Sequence, residues 1–231
     1  KQAAAAVGQI GLVDMYQRRF ARHGKQIGQI LLTRGGLQDR ERFLNARHTL
    51  LALLQMGTVP IVNENDTVST DEIRFGDNDS LSATIVNLIS ADLLIIITDV
   101  DGLYAEPPAA SGPRPDLLDV VEQITPEIEA AAKGPGSRFG RGGMTTKLEA
   151  ARMAALSGAA TVVCNGRQSD AIGRIAAGES VGTLFLAGER MASRKHWLAF
   201  TTQTRGTLTL DPGAANALLS EGHSLLPSGI L

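Results

Sequence analysis

R-F-G-R-G-G-M-T-T-K-L-E-A-A-R-M-A-A-L-S-G, residues 138–158, followed by the apolar run T-V-V-C at 161–164, decides how this chain is built. A glycine-rich loop enters a helix expected over residues 145–156, and a short buried strand follows it. Gly140, Gly142 and Gly143 let the backbone reach positive φ and approach a ligand closely. The helix behind them offers unpaired N–H groups and the positive end of its dipole. Such a mouth suits an anion, a phosphate above all, and Lys147 adds a full charge in the first helical turn. Taken alone, a glycine loop is equally well a flexible turn before a helix. The neighbouring segments decide between the two.

Outward from that stretch, apolar runs at 27–32, 59–62, 93–97, 161–164 and 183–186 predict strands. Between them lie helical patterns at 2–23, 39–55 (with Asp39 as N-cap), 80–90, 126–133, 145–156 and 170–177. L-L-I-I-I at 93–97 is continuous rather than alternating, as expected of a strand covered on both faces. Strands alternating with helices through short links predict an α/β protein, a three-layer αβα sandwich around a mainly parallel sheet. Ligands in such sheets gather beyond the carboxyl ends of the strands. N-E-N-D at 63–66, T-D at 98–99 and N-G at 165–166 all fall there. Residues 187–197 look like a charged connector, and a boundary is expected between about 190 and 204. The predicted domains are 1–193 and 204–231, the latter only the beginning of a small β-rich domain. A first residue that is Lys, and a last segment ending after a strand-like run, suggest a fragment cut at both ends.

Composition removes several classes of function. A net charge of −2 and 4% aromatic residues lend no support to general nucleic-acid binding, which uses basic or stacking surfaces. No apolar run approaches the length needed to span a bilayer, and no signal peptide is visible, so a cytoplasmic location is expected. The single cysteine, Cys164, cannot form an intrachain disulfide and ends an apolar run, which suits a buried core position. His23, His48, His196 and His223 are isolated, without ligand spacing. Neither a G-x-S-x-G elbow nor a G-x-x-x-x-G-K-[ST] loop occurs.

The polar motifs carry the positive signal. N-E-N-D (Asn63, Glu64, Asn65, Asp66) combines amides and carboxylates suited to an ammonium or a zwitterion, or else forms an Asx-rich turn. G-D-N-D (Gly76, Asp77, Asn78, Asp79) precedes a helix, where one of the three polar residues is expected to cap. T-D-V-D-G-L-Y, from Thr98 to Tyr104, places Asp99 where it can accept from a ribose or base, or else closes a type I turn with Gly102. R-E-R-F-L-N-A-R at 40–47 looks like a solvated helix face. This inventory suits phosphoryl transfer to a carboxylate. With a pKa of about 4.3 such an acceptor is already ionised at neutral pH, so no general base is needed. The obstacle is repulsion between two anions, which cations, aligned N–H dipoles and a divalent ion must offset.

In order and spacing, G-R-G-G-M-T-T-K-L-E-A-A, N-E-N-D, G-D-N-D-x-L-S-A and T-D-x-x-G-L-Y resemble the amino acid kinase family, in particular its glutamate-phosphorylating branch. D-R-E-R-F-L-N-A-R and S-V-G-T-L-F extend the resemblance over nearly the whole chain. It implies the amino acid kinase fold and transfer of the ATP γ-phosphate to the side-chain carboxylate of L-glutamate, the first step of proline synthesis. By motif, Lys147 and Asp77 would be catalytic, Asp77 organising the lysines. Asp66, Asn78, Asn63 and Asn65 would bind glutamate. Thr98 and Asp99, with Gly142, Gly143, Met144, Thr145, Thr146 and Lys147, would bind nucleotide. Mg²⁺ would be held mainly through the phosphates, without a named protein ligand. Proline is the implied feedback inhibitor, through a loop at residues 67–75, and a homo-oligomer is implied as well. The tail from Gly206 resembles the start of a PUA domain, elsewhere an RNA-binding module. A Lys-x-Gly-[Ser/Thr] strand and a Ser-Gly-Ala loop that open the family's chains are absent here, so residues 1–231 alone are expected to be inactive or poorly folded. Rival expectations are another amino acid kinase, acting on aspartate, acetylglutamate or a nucleoside monophosphate, and a non-catalytic RNA-binding or regulatory protein acting through the tail.

Overall fold

The computed structural model describes residues 1–68, 78–108, 112, 114–133, 143–202 and 206–231. The chain divides into two compact units, Lys1–Thr201 and Thr202–Leu231. In the first, the elements run α1 (Gln2–Ala21), β1 (Ile27–Leu32), α2 (Arg34–Gln38), α3 (Arg40–Gln55), β2 (Val59–Glu64), α4 (Asn78–Ile89) and β3 (Leu93–Thr98). They continue with β4 (Val120–Val121), α5 (Pro126–Ala132), α6 (Met144–Leu156), β5 (Ala160–Asn165), α7 (Ala171–Ala176), β6 (Thr183–Phe185) and α8 (Ser193–Phe200).

Local chemistry fixes the helix starts. Asp39 adopts an extended conformation and its carboxylate accepts the Arg42 N–H at 2.9 Å, capping α3. Thr125 caps α5 ahead of Pro126, whose missing N–H costs nothing in a first turn. Thr33 caps α2, which forms despite two glycines because Leu37 is fully buried beneath it. By contrast, α6 opens on Gly143 without any side-chain cap.

Strands β1 and β2 pair in parallel, Ile27 with Val59 through Leu32 with Glu64. A second sheet has the order β3-β5-β6-β4. Within it β3 and β5 are parallel, as are β4 and β6, whereas β5 and β6 run antiparallel. The sheets are mainly parallel, as expected, with β5–β6 the one antiparallel pairing among the named strands. The cause is the length of α7: six residues carry the chain back only about 9 Å, against about 20 Å for a six-residue strand. The chain re-enters beside the far half of β5, with Thr183 opposite Val163, and turns back at Gly182, where φ is +72°. A Cβ at Gly182 would lie 2.1 Å from the Val163 carbonyl oxygen, so only glycine makes this turn. Between β2 and β3 lies an apolar groove of about 330 Å³, lined by Pro60, Val62, Leu93 and Leu94 and floored by Leu81 and Ile85 of α4.

Alternation along β5 builds the layers. Val163 joins the main core with Ala83, Val86, Leu94, Ile96, Leu148 and Phe185, on the side of α4 and α6. Val162 and Cys164 face the opposite side and pack with Ala171 of α7 and Val181. Helices thus cover both faces of the sheet, the three-layer arrangement expected from the sequence. A second cluster, Leu37, Phe43, Leu50, Leu81 and Leu88, joins α2, α3 and α4. Helices α4 and α6 meet through Ala83, Ala150, Ala151 and Ala154, each at most 1% exposed. Side chains this small let two helix backbones approach closely, and a larger residue at any of them would overpack the contact.

Two expectations need correcting here. The presumed connector contains α8, whose Trp197 indole donates to the Leu37 carbonyl at 2.9 Å and whose buried His196 bonds the Met153 carbonyl at 2.9 Å. Ser193, His196, Trp197 and Phe200 fall on one helical face, a spacing that the charges of Arg194 and Lys195 obscure. Nor is R-E-R-F-L-N-A-R a purely solvated face. Phe43 is fully buried, Arg40 lies 5.2 Å from the Phe43 and Trp197 rings, and Arg47 bonds the Asn87 and Leu88 carbonyls at the end of α4.

In the second unit, Asp211 caps α9 (Pro212–Leu219), accepting from Ala214 N–H at 2.9 Å. Among the described residues of this unit, Leu210 and Ile230 form an antiparallel bridge.

Candidate active site

Three residues separate α4 from β3, and three separate α6 from β5. Links this short make each helix run antiparallel to the strand that follows it. Helices of 12 and 13 residues are about 18–20 Å long, matching the six-residue strands. The N-termini of α4 and α6 therefore come level with the carboxyl ends of β3 and β5. Those ends are Thr98 and Asn165, paired in register.

At this edge the two helices exchange charge. Lys147 Nζ donates to Asp79 Oδ2 at 3.0 Å, and the Thr146 hydroxyl lies 2.8 Å from the same oxygen. The Thr146 hydroxyl is also 2.8 Å from the Gly143 carbonyl, so its one proton serves one acceptor at a time. The Lys147 and Asp79 side chains are only 9% and 16% exposed. Asp79 sits in the first turn of α4, where a carboxylate suits the helix dipole. Lys147 sits in the first turn of α6, at the positive end of the helix dipole, where the Thr146 N–H bonds the Gly143 carbonyl at 3.2 Å. A buried cation, held in place, thus stands at the N-terminus of a helix. The arrangement suits an anion whose charge moves during reaction.

Asp79 was not among the residues expected to act; Asp77 was. Asp77 and Gly142 lie outside the described residues. The signal that singles out Asp79 is helical phase. Asp79, Ala83 and Val86 fall at i, i+4 and i+7, and Ala83 and Val86 belong to the main core. Asn78, Leu81, Ser82 and Ile85 share a different stripe and line the groove beside β2.

The other expected residues fall into two groups. Thr98 and Asp99 stand at the end of β3, the Thr98 hydroxyl donating to Asp99 Oδ1 at 3.2 Å. Gly166 N–H bonds the Thr98 carbonyl at 2.8 Å, tying the turn after β5 to this point. Asn63, Asn65 and Asp66 occupy the end of β2. There Asn63 Nδ2 donates to Gln9 Oε1 at 3.1 Å, and the Asn65 side chain accepts from the Thr67 hydroxyl. Direct contact therefore links Thr146 and Lys147 with Asp79, Thr146 also reaching the Gly143 carbonyl, whereas Asn63 and Asn65 bond Gln9 and Thr67. Met144 and Thr145 complete the first turn of α6.

The model of the amino acid kinase family matches residues 1–165, and the chain belongs to that family. A glutamate 5-kinase of Burkholderia cenocepacia is 54% identical over 231 residues, covering 100% of this chain and 62% of the relative. One of Ralstonia nicotianae is 54% identical over 230 residues, covering 99% and 61%. The chain thus spans about three fifths of the length of the curated relatives it matches. Among solved structures, an isopentenyl phosphate kinase of T. acidophilum in its product complex aligns with a TM-score of 0.53. That alignment, at 18% identity, covers 76% of this chain and 66% of the other, and it shows a shared fold.

Proposed function

We propose that the complete protein containing residues 1–231 transfers the γ-phosphate of ATP to the side-chain carboxylate of L-glutamate, forming glutamyl 5-phosphate. The observation that carries this is the Lys147–Asp79 pair at the uncapped N-terminus of α6, in a chain 54% identical to proteins named glutamate 5-kinase. The acceptor arrives as an anion, so the site needs no base; it needs positive charge between two negative reactants. Lys147 supplies that charge to the phosphoryl group in transit, and the first turn of α6 from Gly143 to Thr146, with Gly142 before it, cradles the phosphates. Asp79 holds the ammonium in line, beside the part in organising the lysines that the resemblance gives Asp77. Thr98 and Asp99 meet the nucleotide, while Asp66, Asn63, Asn65 and Asn78 receive glutamate.

Mg²⁺ would add countercharge across the phosphates. The ion would be carried by the nucleotide, and no residue is named as its ligand. Proline control through residues 67–75, a homo-oligomeric assembly, a PUA-like tail contacting RNA and a cytoplasmic location rest on the family resemblance. Residues 69–75 lie outside the described residues, and no described helix is long and apolar enough to cross a membrane.

The test is trapping of the acyl phosphate as a hydroxamate, with ATP, Mg²⁺ and a panel of glutamate, aspartate, N-acetylglutamate and a nucleoside monophosphate as acceptors. Turnover with glutamate far above the rest supports the proposal. Turnover confined to another acceptor replaces it.

A further inference from the structure

The loop after β3 is tied to the loop after β5 by one carboxylate that the proposed chemistry does not use. Asp101 Oδ1 accepts from Asn165 Nδ2 at 2.8 Å, while Oδ2 accepts from the Tyr104 hydroxyl at 3.0 Å and from Arg114 at 2.8 Å. Asn165 Nδ2 also lies 3.5 Å from the Asp99 carbonyl, and Asn165 Oδ1 accepts the Arg167 N–H at 3.0 Å. One amide therefore spans both loops, and the Asp101 carboxylate fixes which way it points. The hydrogen bonds from Asn165 and Tyr104, ahead of the Arg114 charge, hold the Asp101 carboxyl below its usual range, while its partial burial opposes them.

The surroundings make this tie specific to the segment beside Thr98 and Asp99. On the far side the loop is anchored independently, because Leu103 N–H donates to the buried Thr183 hydroxyl at 2.8 Å and Leu118 N–H to the Leu103 carbonyl at 2.8 Å. On the near side Gly166 N–H holds the Thr98 carbonyl, and a Cβ at Gly166 would come within 2.6 Å of the Ile97 side chain. Between these anchors, Asn165 and the carboxylate that orients it are what restrain residues 99–101. Arg114, mostly exposed, neutralises the carboxylate on its solvent side.

We propose that Asp101 is a positioning residue for nucleotide: through Asn165 it sets Thr98 and Asp99 in the orientation that receives ATP, without touching the reacting atoms. This rests on the assignment of Thr98 and Asp99 to the nucleotide. Loss of the carboxylate leaves Lys147 and Asp79 in place, so binding of one substrate suffers while the chemical step does not.

The experiment is steady-state kinetics of the complete protein with Asp101→Ala, Asp101→Asn and Asn165→Ala, alongside melting temperatures and equilibrium binding of ATP. Asp101→Ala and Asn165→Ala should each raise the KM for ATP roughly tenfold, with kcat and the KM for glutamate within about twofold of wild type. Asp101→Asn keeps an oxygen for Asn165 but loses the charge facing Arg114, and should fall between Ala and wild type. A purely structural role predicts a different pattern: lower melting temperature and lower kcat, with both KM values unchanged. That pattern overturns the proposal, as does an equal rise in the two KM values. If Asp101→Ala does not fold, Asp101→Asn and Asn165→Ala decide by the same criterion. Should the wild type bind ATP but leave glutamate untouched, the dissociation constants for ATP replace KM, and only the proposed activity fails. A wild type that binds no ATP removes both.

Discussion

Replacing Asp79 by Ala strands a lysine whose side chain is 9% exposed, and the cost can be bounded from the structure. At the observed 3.0 Å, an effective dielectric near 20 gives an attraction of about 5.5 kcal/mol before desolvation is counted. Removing one partner of a buried pair typically costs about 3–5 kcal/mol. The 16% exposure of Asp79, and the second acceptor that Gly143 offers Thr146, place Asp79→Ala near the lower end, at about 3 kcal/mol. Lys147→Met keeps most of the apolar stem packed and leaves Asp79 with the Thr146 hydroxyl, so it should cost less, about 1–2 kcal/mol. The double variant buries neither charge and should be more stable than the sum of the singles implies, with a coupling of about 2 kcal/mol. Urea denaturation of the complete protein and its three variants at pH 7 measures this cycle. Additivity within about 0.5 kcal/mol would refute the reasoning, because it would mean the two groups do not sense each other in solution.

Two further outcomes follow from contacts outside the site. Arg47→Ala uncovers the Asn87 and Leu88 carbonyls at the end of α4 and should lower stability by about 1–3 kcal/mol, leaving the KM for glutamate unchanged; a loss under 0.5 kcal/mol would contradict the capping role. His196 is neutral where it is buried, because burial depresses its pKa more than the Met153 carbonyl raises it. Between its folded and unfolded pKa values the unfolded chain binds the extra proton, so this contribution is complete above about pH 6.5 and is lost as pH falls below it. Relative to His196→Leu, the wild type should lose at most about 1.4 kcal/mol per pH unit on acidification from pH 6.5, and identical pH profiles would contradict the assignment.

Features with a local cause were legible in the chain. Strands β1, β2, β3 and β5 announce themselves as short apolar runs, and Asp39 and Thr125 cap through their own side chains. What escaped depends on partners distant in sequence. Val120–Val121 is too short for any periodicity to mark it, and it exists because β6 lies alongside. Helix α8 is held by Leu37 and Met153, some 160 and 43 residues away. The antiparallel run of β6 follows from the brevity of α7, a consequence visible only once β5 and β6 are known to be neighbours. The site divides the same way. Lys147 was evident from its place after the glycines, while Asp79 needed the phase of α4 against α6 to be told apart from Asp77 and Asn78 two and one residues earlier.

The central claim is that the Lys147 ammonium, oriented by Asp79, meets the migrating phosphoryl group at the mouth of α6. A crystal structure of the complete protein with Mg²⁺ and a non-hydrolysable ATP analogue tests it most directly. The account predicts Lys147 Nζ at about 3 Å from a terminal phosphate oxygen, with the N–H groups of the first turn of α6 facing the phosphates. A terminal phosphate bound elsewhere, with that ammonium more than about 4 Å from every phosphate oxygen and turned to solvent, would contradict it.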